Sequence, residues 1–212
     1  MIAVSSFRPH SQSEVYRANQ IAARRSWEDH FERIFYFGSH EPELDGEKTL
    51  FVRQTEQWPR IREMASFCAS QDPEKLVAIV NADIVVTGKI LDVEKAMIAS
   101  KLLAATTRRR DLKTRELIPD DKGRDIFILT PATWRKAASR IPPECRIGHQ
   151  QWDSWMIGFL RKECEKKFAQ FNDVPCVFHP AHGERLMPHA ADVERIDPTW
   201  LNFHRNDTLI RV

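Results

Sequence analysis

The feature that most constrains this chain is the run LVAIV at residues 76–80, continuously apolar, rich in β-branched residues and followed at once by Asn81, Ala82 and Asp83. A strand with no polar face must be covered on both sides, as in the centre of a sheet flanked by helices. A second run, IFIL at 126–129, closed by Thr130-Pro131, predicts another buried strand. Around these two the pattern alternates. Residues 2–4 read as a strand, and Ser11-Gln12-Ser13-Glu14 matches a capping box opening a helix with Val15, Ala18 and Ala22 on one face, ending near Trp27. Residues 33–37 and 49–52 read as strands, with Gly38 as punctuation. Pro59 suits the first turn of a helix whose apolar face is Ile61, Met64, Ala65 and Cys68.

Farther on, residues 84–86 form a short extended run, and a helical pattern passes through Val93, Ala96, Met97 and Ala104. Beyond Pro142-Pro143 a helix carries Trp152, Trp155, Met156 and Phe159 at spacings of three and four. Residues 174–178 make a last short strand before His179-Pro180-Ala181-His182. Strands alternating with helices predict an α/β fold, a single Rossmann-like domain with a mostly parallel central sheet flanked by helices. The 212 residues suit one such core. Regular periodicity fades after Gly183, so residues 1–182 are expected to form the folded domain and 183–212 an extension packing on it.

Charge excludes some classes. With 32 basic and 30 acidic residues, a net charge of +2 gives no wholesale attraction to nucleic acid or membrane, so any polyanion site must be local. The four cysteines, at 68, 145, 164 and 176, form no CxxC pair and read as reduced thiols in a cytoplasmic protein. The start MIAVSSFRPH lacks the apolar stretch of a signal peptide, and no window approaches the roughly 18 apolar residues of a membrane span. The expectation is a cytoplasmic protein without a membrane partner.

Asn81-Ala82-Asp83 falls where a buried strand should stop, so a carboxylate there would emerge at the ligand-binding edge of the sheet. A hard divalent cation, Mg2+ or Mn2+, is commonly held by one or two carboxylates plus substrate phosphates. An Asp at 83 that merely caps a turn is the other reading of the same tripeptide.

Several segments in order, SSFRP, IVNADIVV, DIFILTP with a following Trp134, GHQQWDSWM and HPAH, resemble the GT-A type glycosyltransferases over roughly residues 1–182. The resemblance implies a metal-dependent, inverting transfer of a sugar from a nucleotide-sugar donor such as a UDP-sugar to a hydroxyl acceptor. It implies that Ser6 and Arg8 lie near the nucleotide and that Asn81 and Asp83 replace the family's acidic metal motif. The first aspartate of that motif is here an asparagine, which leaves Asp83 as the principal carboxylate. Asp153 becomes the candidate general base, with an acid favoured at a helix amino terminus as the alternative. His179 and His182 could reach the metal or the diphosphate.

Trp134, Trp152 and Trp155 are candidate substrate-stacking rings, and the two at helical spacing also fit a core. Asp125 could bind sugar hydroxyls or an acceptor, or be a solvated strand end. Residues 101–124 hold eight basic side chains (Lys101, Arg108, Arg109, Arg110, Lys113, Arg115, Lys122, Arg124) against four acidic ones (Asp111, Glu116, Asp120, Asp121). The resemblance extends to small phage enzymes that glycosylate hydroxymethylated bases in DNA, an acceptor this loop would suit; an ordinary exposed loop, with a saccharide, lipid or protein hydroxyl as acceptor, is the other reading of the same residues. Two further classes share these features: a nucleotidyltransferase on a related fold, for which no glycine-rich loop with a following lysine is present, and a non-catalytic nucleic-acid-binding module, which would leave Asp83, Asp153 and the histidines without a common purpose.

Overall fold

The run at 76–80 becomes the strand Val77–Val80, and its residues alternate between two cores. Val77 and Ile79 face one hydrophobic cluster, Ala78 and Val80 the other. Because both faces are covered, all four residues are apolar and buried. The computed structural model describes residues 1–6, 14–39, 47–54, 59–117, 124–147 and 152–180.

Numbered in chain order, the strands are β1 (Ile2–Ser6), β2 (Arg33–Gly38), β3 (Thr49–Arg53), β4 (Val77–Val80), β5 (Val85–Val86), β6 (Ala104–Thr106), β7 (Arg110–Asp111), β8 (Ile126–Leu129), β9 (Phe168–Gln170) and β10 (Val177–His179). The helices are α1 (Glu14–Glu28), α2 (Ile61–Ala69), α3 (Ile90–Ala99), α4 (Pro131–Arg140) and α5 (Trp152–Cys164). Seven strands form the central sheet in the order β3-β2-β1-β4-β8-β6-β9. β3, β2, β1 and β4 are mutually parallel, β8 is antiparallel to both its neighbours, and β9 runs parallel to β6. The sheet is therefore mostly parallel, with one reversed strand near its centre. Residues from α2, α4 and α5 join the core on one face, and residues from α1 and α3 join it on the other.

A smaller sheet, β5-β10-β7, lies beyond the carboxyl end of β4. It begins in the turn that follows β4, where the Ile84 amide donates to the Asn81 carbonyl at 3.2 Å. The Trp27 indole of α1 donates to the Ile84 carbonyl at 2.7 Å and stacks on Tyr36 of β2, with ring centroids 5.8 Å apart.

Two expectations are corrected. The buried side of α1 carries Ala23 and Trp27 with Gln20 and Arg24, whereas Val15, Ala18 and Ala22 are exposed. The alanine periodicity misled because alanine is indifferent to burial, and one large ring, Trp27, sets which side packs. α3 ends at Ala99, and Ala104 opens strand β6, after a turn in which Lys101 takes a left-handed φ of 51°. β6 and β9, three residues each, are too short to show a period. The capping box at 11–14 lies largely outside the described residues, as do residues 181–212. Among the described residues no helix is long and apolar enough to cross a membrane.

All four thiols are free and buried. Burial raises the Cys164 thiol to about 11 and those of Cys145 and Cys176 to about 12, and it raises Cys68 well above the usual thiol value. Alkylation with iodoacetamide at pH 8 is expected to label none of the four in the native protein and all four in denaturant. The same shifts set a sign for stability. Unfolded thiols ionise near pH 9 while the folded ones hold their protons, so stability is expected to fall as pH rises from about 9 towards 12. Urea midpoints across that range measure it.

Candidate functional site at the carboxyl edge of the sheet

The reversal of β8 builds the site. Because β8 runs against β4, its first residues lie beside the last residues of β4, and the Asn81 amide donates to the Asp125 carbonyl at 2.9 Å. Asp125 thus sits at the same edge as Asn81 and Asp83, and it is buried. As a solvated strand end, the bland expectation, it is corrected.

Its carboxylate is divided between two partners. Oδ1 accepts the Asn81 side-chain amide at 2.5 Å, and Oδ2 accepts the Arg109 guanidinium at 3.0 Å. Arg109 follows β6, which ends at this edge because it is antiparallel to β8. Desolvation raises the pKa of Asp125, the charges of Arg109 and His179 oppose the rise, and Asp83 and Asp153 add to it. Three carboxylates, an arginine and a histidine therefore share one electrostatic neighbourhood.

Asp83 and His179 meet across the two sheets, with His179 Nε2 3.4 Å from Asp83 Oδ2 and both side chains about a fifth exposed or less. His179 reaches this place because β10 pairs antiparallel with β5, which the turn after Asp83 begins. Asp153 lies in the first turn of α5, where Oδ1 accepts the Ser154 amide at 2.8 Å and Oδ2 accepts the Arg124 amide at 3.1 Å. The carboxylate thus ties α5 to the start of β8 and satisfies one free amide of the helix end, while each oxygen keeps a lone pair. Ser6 is buried at the carboxyl end of β1, and Ser5 beside it donates to the Val80 carbonyl at 2.6 Å. Arg8 and His182 lie outside the described residues.

The tryptophans separate. Trp134 is wholly buried in α4, and its indole donates at 2.8 Å to the carbonyl of Val77, the first residue of β4. That is the opposite edge of the sheet, so Trp134 is a core residue and not an acceptor contact. Its helix starts there because Thr130, at the far end of reversed β8, caps it by accepting the Thr133 amide, with Pro131 next in the first turn. Trp152 and Trp155 are also buried, the first edge-on to Phe127 at 5.2 Å and the second stacked on Phe159 at 5.2 Å. Both pack in the core beneath α5.

Nor is the basic segment one patch. Lys101 precedes β6 and lies at the far edge, whereas Arg109 is bound into the site. Arg110 donates to the carbonyls of Arg115 and Asp173 at 3.4 and 3.5 Å, and the Arg108 amide donates to Asn172 Oδ1 at 3.1 Å. Gln170, which accepts from Arg124 at 3.0 Å, and Asn172 went unnoticed in the sequence. Gln170 ends a strand of only three residues and Asn172 follows it, and only the pairing of that strand with β6 brings them here.

A cation at this edge has few protein donors. Among the described residues no group of three or more His, Cys, Asp or Glu side chains is placed to hold a metal ion. The donors that do meet, Asp83 and His179, fit the arrangement in which substrate phosphates and water supply the remaining ligands.

No protein-family model and no curated protein sequence matches the chain. Solved structures do match. Residues 1–349 of TarS from S. aureus superpose with a TM-score of 0.59 at 7% identity, over 84% of this chain and 60% of that one. The same fragment in complex with UDP-GlcNAc gives 0.56 at 10% identity, over 87% and 60%. A Bacillus anthracis protein described as a candidate glucose-1-phosphate thymidylyltransferase, in complex with a sucrose, gives 0.52 at 11% identity, over 99% and 96%. The chain spans about 60% of the length of the TarS fragment. At these identities the likeness is one of fold. The chain shares with these structures a GT-A-like α/β fold, a mostly parallel central sheet covered by helices on both faces.

Proposed function

We propose that this protein is a metal-dependent glycosyltransferase that moves a sugar from a nucleotide-sugar, such as a UDP-sugar, to a hydroxyl acceptor. The observation that carries the reading is the convergence of Asp83, His179, Asp125, Arg109 and Asp153 on the edge where sheets of this kind bind ligands. The fold it shares with TarS, a fragment of which was solved with UDP-GlcNAc, supports a nucleotide-sugar donor.

In this reading Asp83 and His179 hold Mn2+ or Mg2+, and the ion, when bound, neutralises charge developing on the departing diphosphate. Arg109, held by Asp125, adds a fixed positive charge beside that leaving group. Ser6, at the end of β1, lies against the nucleoside. The acceptor oxygen attacks the anomeric carbon as its bond to the diphosphate breaks, and Asp153 takes the acceptor's proton through a free lone pair. Attack opposite the leaving group inverts the anomeric centre. Asp153→Asn is expected to keep the Arg124 and Ser154 contacts on its remaining oxygen in part, leave donor affinity within about twofold, and cut kcat by roughly 10²–10⁴-fold. Donor titration and steady-state transfer separate the two; normal transfer would remove Asp153 from the base role.

The acceptor is less constrained. Arg108 and Arg110, at the rim, remain candidates for contacting a phosphate backbone, and a hydroxymethylated base in DNA is the acceptor they would suit. Alanine at both is expected to weaken DNA binding and flatten its salt dependence; no change would favour a saccharide or protein hydroxyl. A second reading has one observation in its favour: the thymidylyltransferase-like structure is matched over nearly its whole length. Thermal shift decides between them. A manganese-dependent rise in Tm with a UDP- or GDP-sugar supports sugar transfer, and a rise confined to nucleoside triphosphates supports nucleotidyl transfer.

A further inference from the structure

The side-chain pair Asn81–Asp125 ties the end of the central strand to the start of its reversed neighbour. The backbones of the two residues are already joined by the Asn81 amide to Asp125 carbonyl bond of 2.9 Å, so the β4–β8 ladder fixes how the side chains approach. A carboxylate only accepts hydrogen bonds, so the end of the Asn81 amide that lies 2.5 Å from Asp125 Oδ1 must be its NH2. An aspartate at 81 would set two carboxylates at that distance. The remaining polar atom of the amide, Oδ1, is buried and has no hydrogen-bond partner among the described residues. An unpaired buried acceptor is costly, and at a ligand edge the donor it lacks is one that a ligand can bring. Asp125 meanwhile commits its other oxygen to Arg109.

We propose that Asp125 is a positioning residue that locks the Asn81 amide in one orientation, so that Asn81 Oδ1 accepts a hydroxyl of the nucleotide-sugar while Arg109 is held beside its diphosphate. The ligand half of this inference rests on the donor reading above; the lock itself does not.

A residue-exchange cycle tests it, with Tm measured at about pH 8 without ligand and affinity measured for uridine diphosphate with manganese. Asn81→Asp opposes two buried carboxylates and is expected to lower Tm on the order of 10 °C. Asp125→Asn turns one of the two acceptors into a donor, so the Asn81 amide either loses its partner or flips and engages its own Oδ1, which takes that oxygen away from the ligand, and affinity is expected to fall about tenfold. The double exchange N81D/D125N restores the pairing with its polarity reversed, since the amide now on β8 can donate to the carboxylate now on β4 and still accept from Arg109. It is expected to recover at least half of the summed Tm loss and most of the affinity. Strictly additive Tm losses would overturn the proposal. Coupled Tm values together with no uridine diphosphate binding by the wild type would sink the donor reading and leave the lock standing. Should N81D fail to fold, hydrogen exchange of the Asn81 side-chain NH2 in the wild type, read by 15N NMR, replaces it: slow exchange supports the lock, and exchange at the rate of a surface amide overturns it.

Discussion

Asp83→Ala is expected to abolish the manganese-dependent stabilisation of this protein by a nucleotide-sugar while leaving the unliganded protein nearly as stable as before. A ligand at a hundred times its Kd adds about 2.7 kcal/mol to the native state, which in a chain of this size is a Tm rise of roughly 5–10 °C. In the variant that rise should vanish, because His179 alone, 3.4 Å from the lost carboxylate, offers a single imidazole nitrogen to a cation that prefers anionic oxygen. The apo stability should hold because the Asp83 side chain is partly exposed, at 20%, in a turn whose backbone bond, Ile84 to Asn81, does not involve its carboxylate. Scanning calorimetry of wild type and variant, with and without manganese and a UDP-sugar, gives both numbers. A full manganese-dependent rise in the variant would place the ion elsewhere.

Trp134→Ala is expected to have the opposite signature. The indole is wholly buried and donates to the Val77 carbonyl at 2.8 Å, so truncation leaves a large cavity and an unpaired carbonyl at the start of the central strand. Such truncations cost about 3–5 kcal/mol, here a Tm fall of roughly 6–20 °C. Donor affinity at a temperature where the variant is folded should be unchanged, because β4 separates Trp134 from Asn81 by about four residues of strand, roughly 13 Å. Denaturant unfolding and donor titration on one preparation check it. A loss of affinity larger than about threefold without unfolding would return Trp134 to the substrate-binding residues. Asp83→Ala and Trp134→Ala are also far enough apart to be additive.

The buried strands themselves were legible, because a continuous apolar run has few other places to go. The face of α2 was legible too, since Ile61, Met64, Ala65 and Cys68 repeat at helical spacing and all four are buried. So was the carboxylate at 83, because a polar tripeptide directly after a buried strand can only fall at the sheet's edge. The roles of Asp125 and Trp134 were not. A run such as IFIL is apolar on both faces whichever way it points, so it carries no sign of direction, and direction alone decides which end of β8 meets the site. Reversed, it delivers Asp125 to the ligand edge and Trp134 to the far one.

By itself, then, the sequence determined that this chain has a helix-covered sheet with a carboxylate at the end of its central strand, through local patterns that each residue run carries within itself. Tertiary structure decided the rest: the reversal of β8, the meeting of His179 with Asp83 through β10, and the capture of Arg109 and Asn81 by one buried carboxylate. These are contacts between residues 16 to 96 positions apart in the chain, and what selects them is pairing between strands and packing between helices, which no local period records.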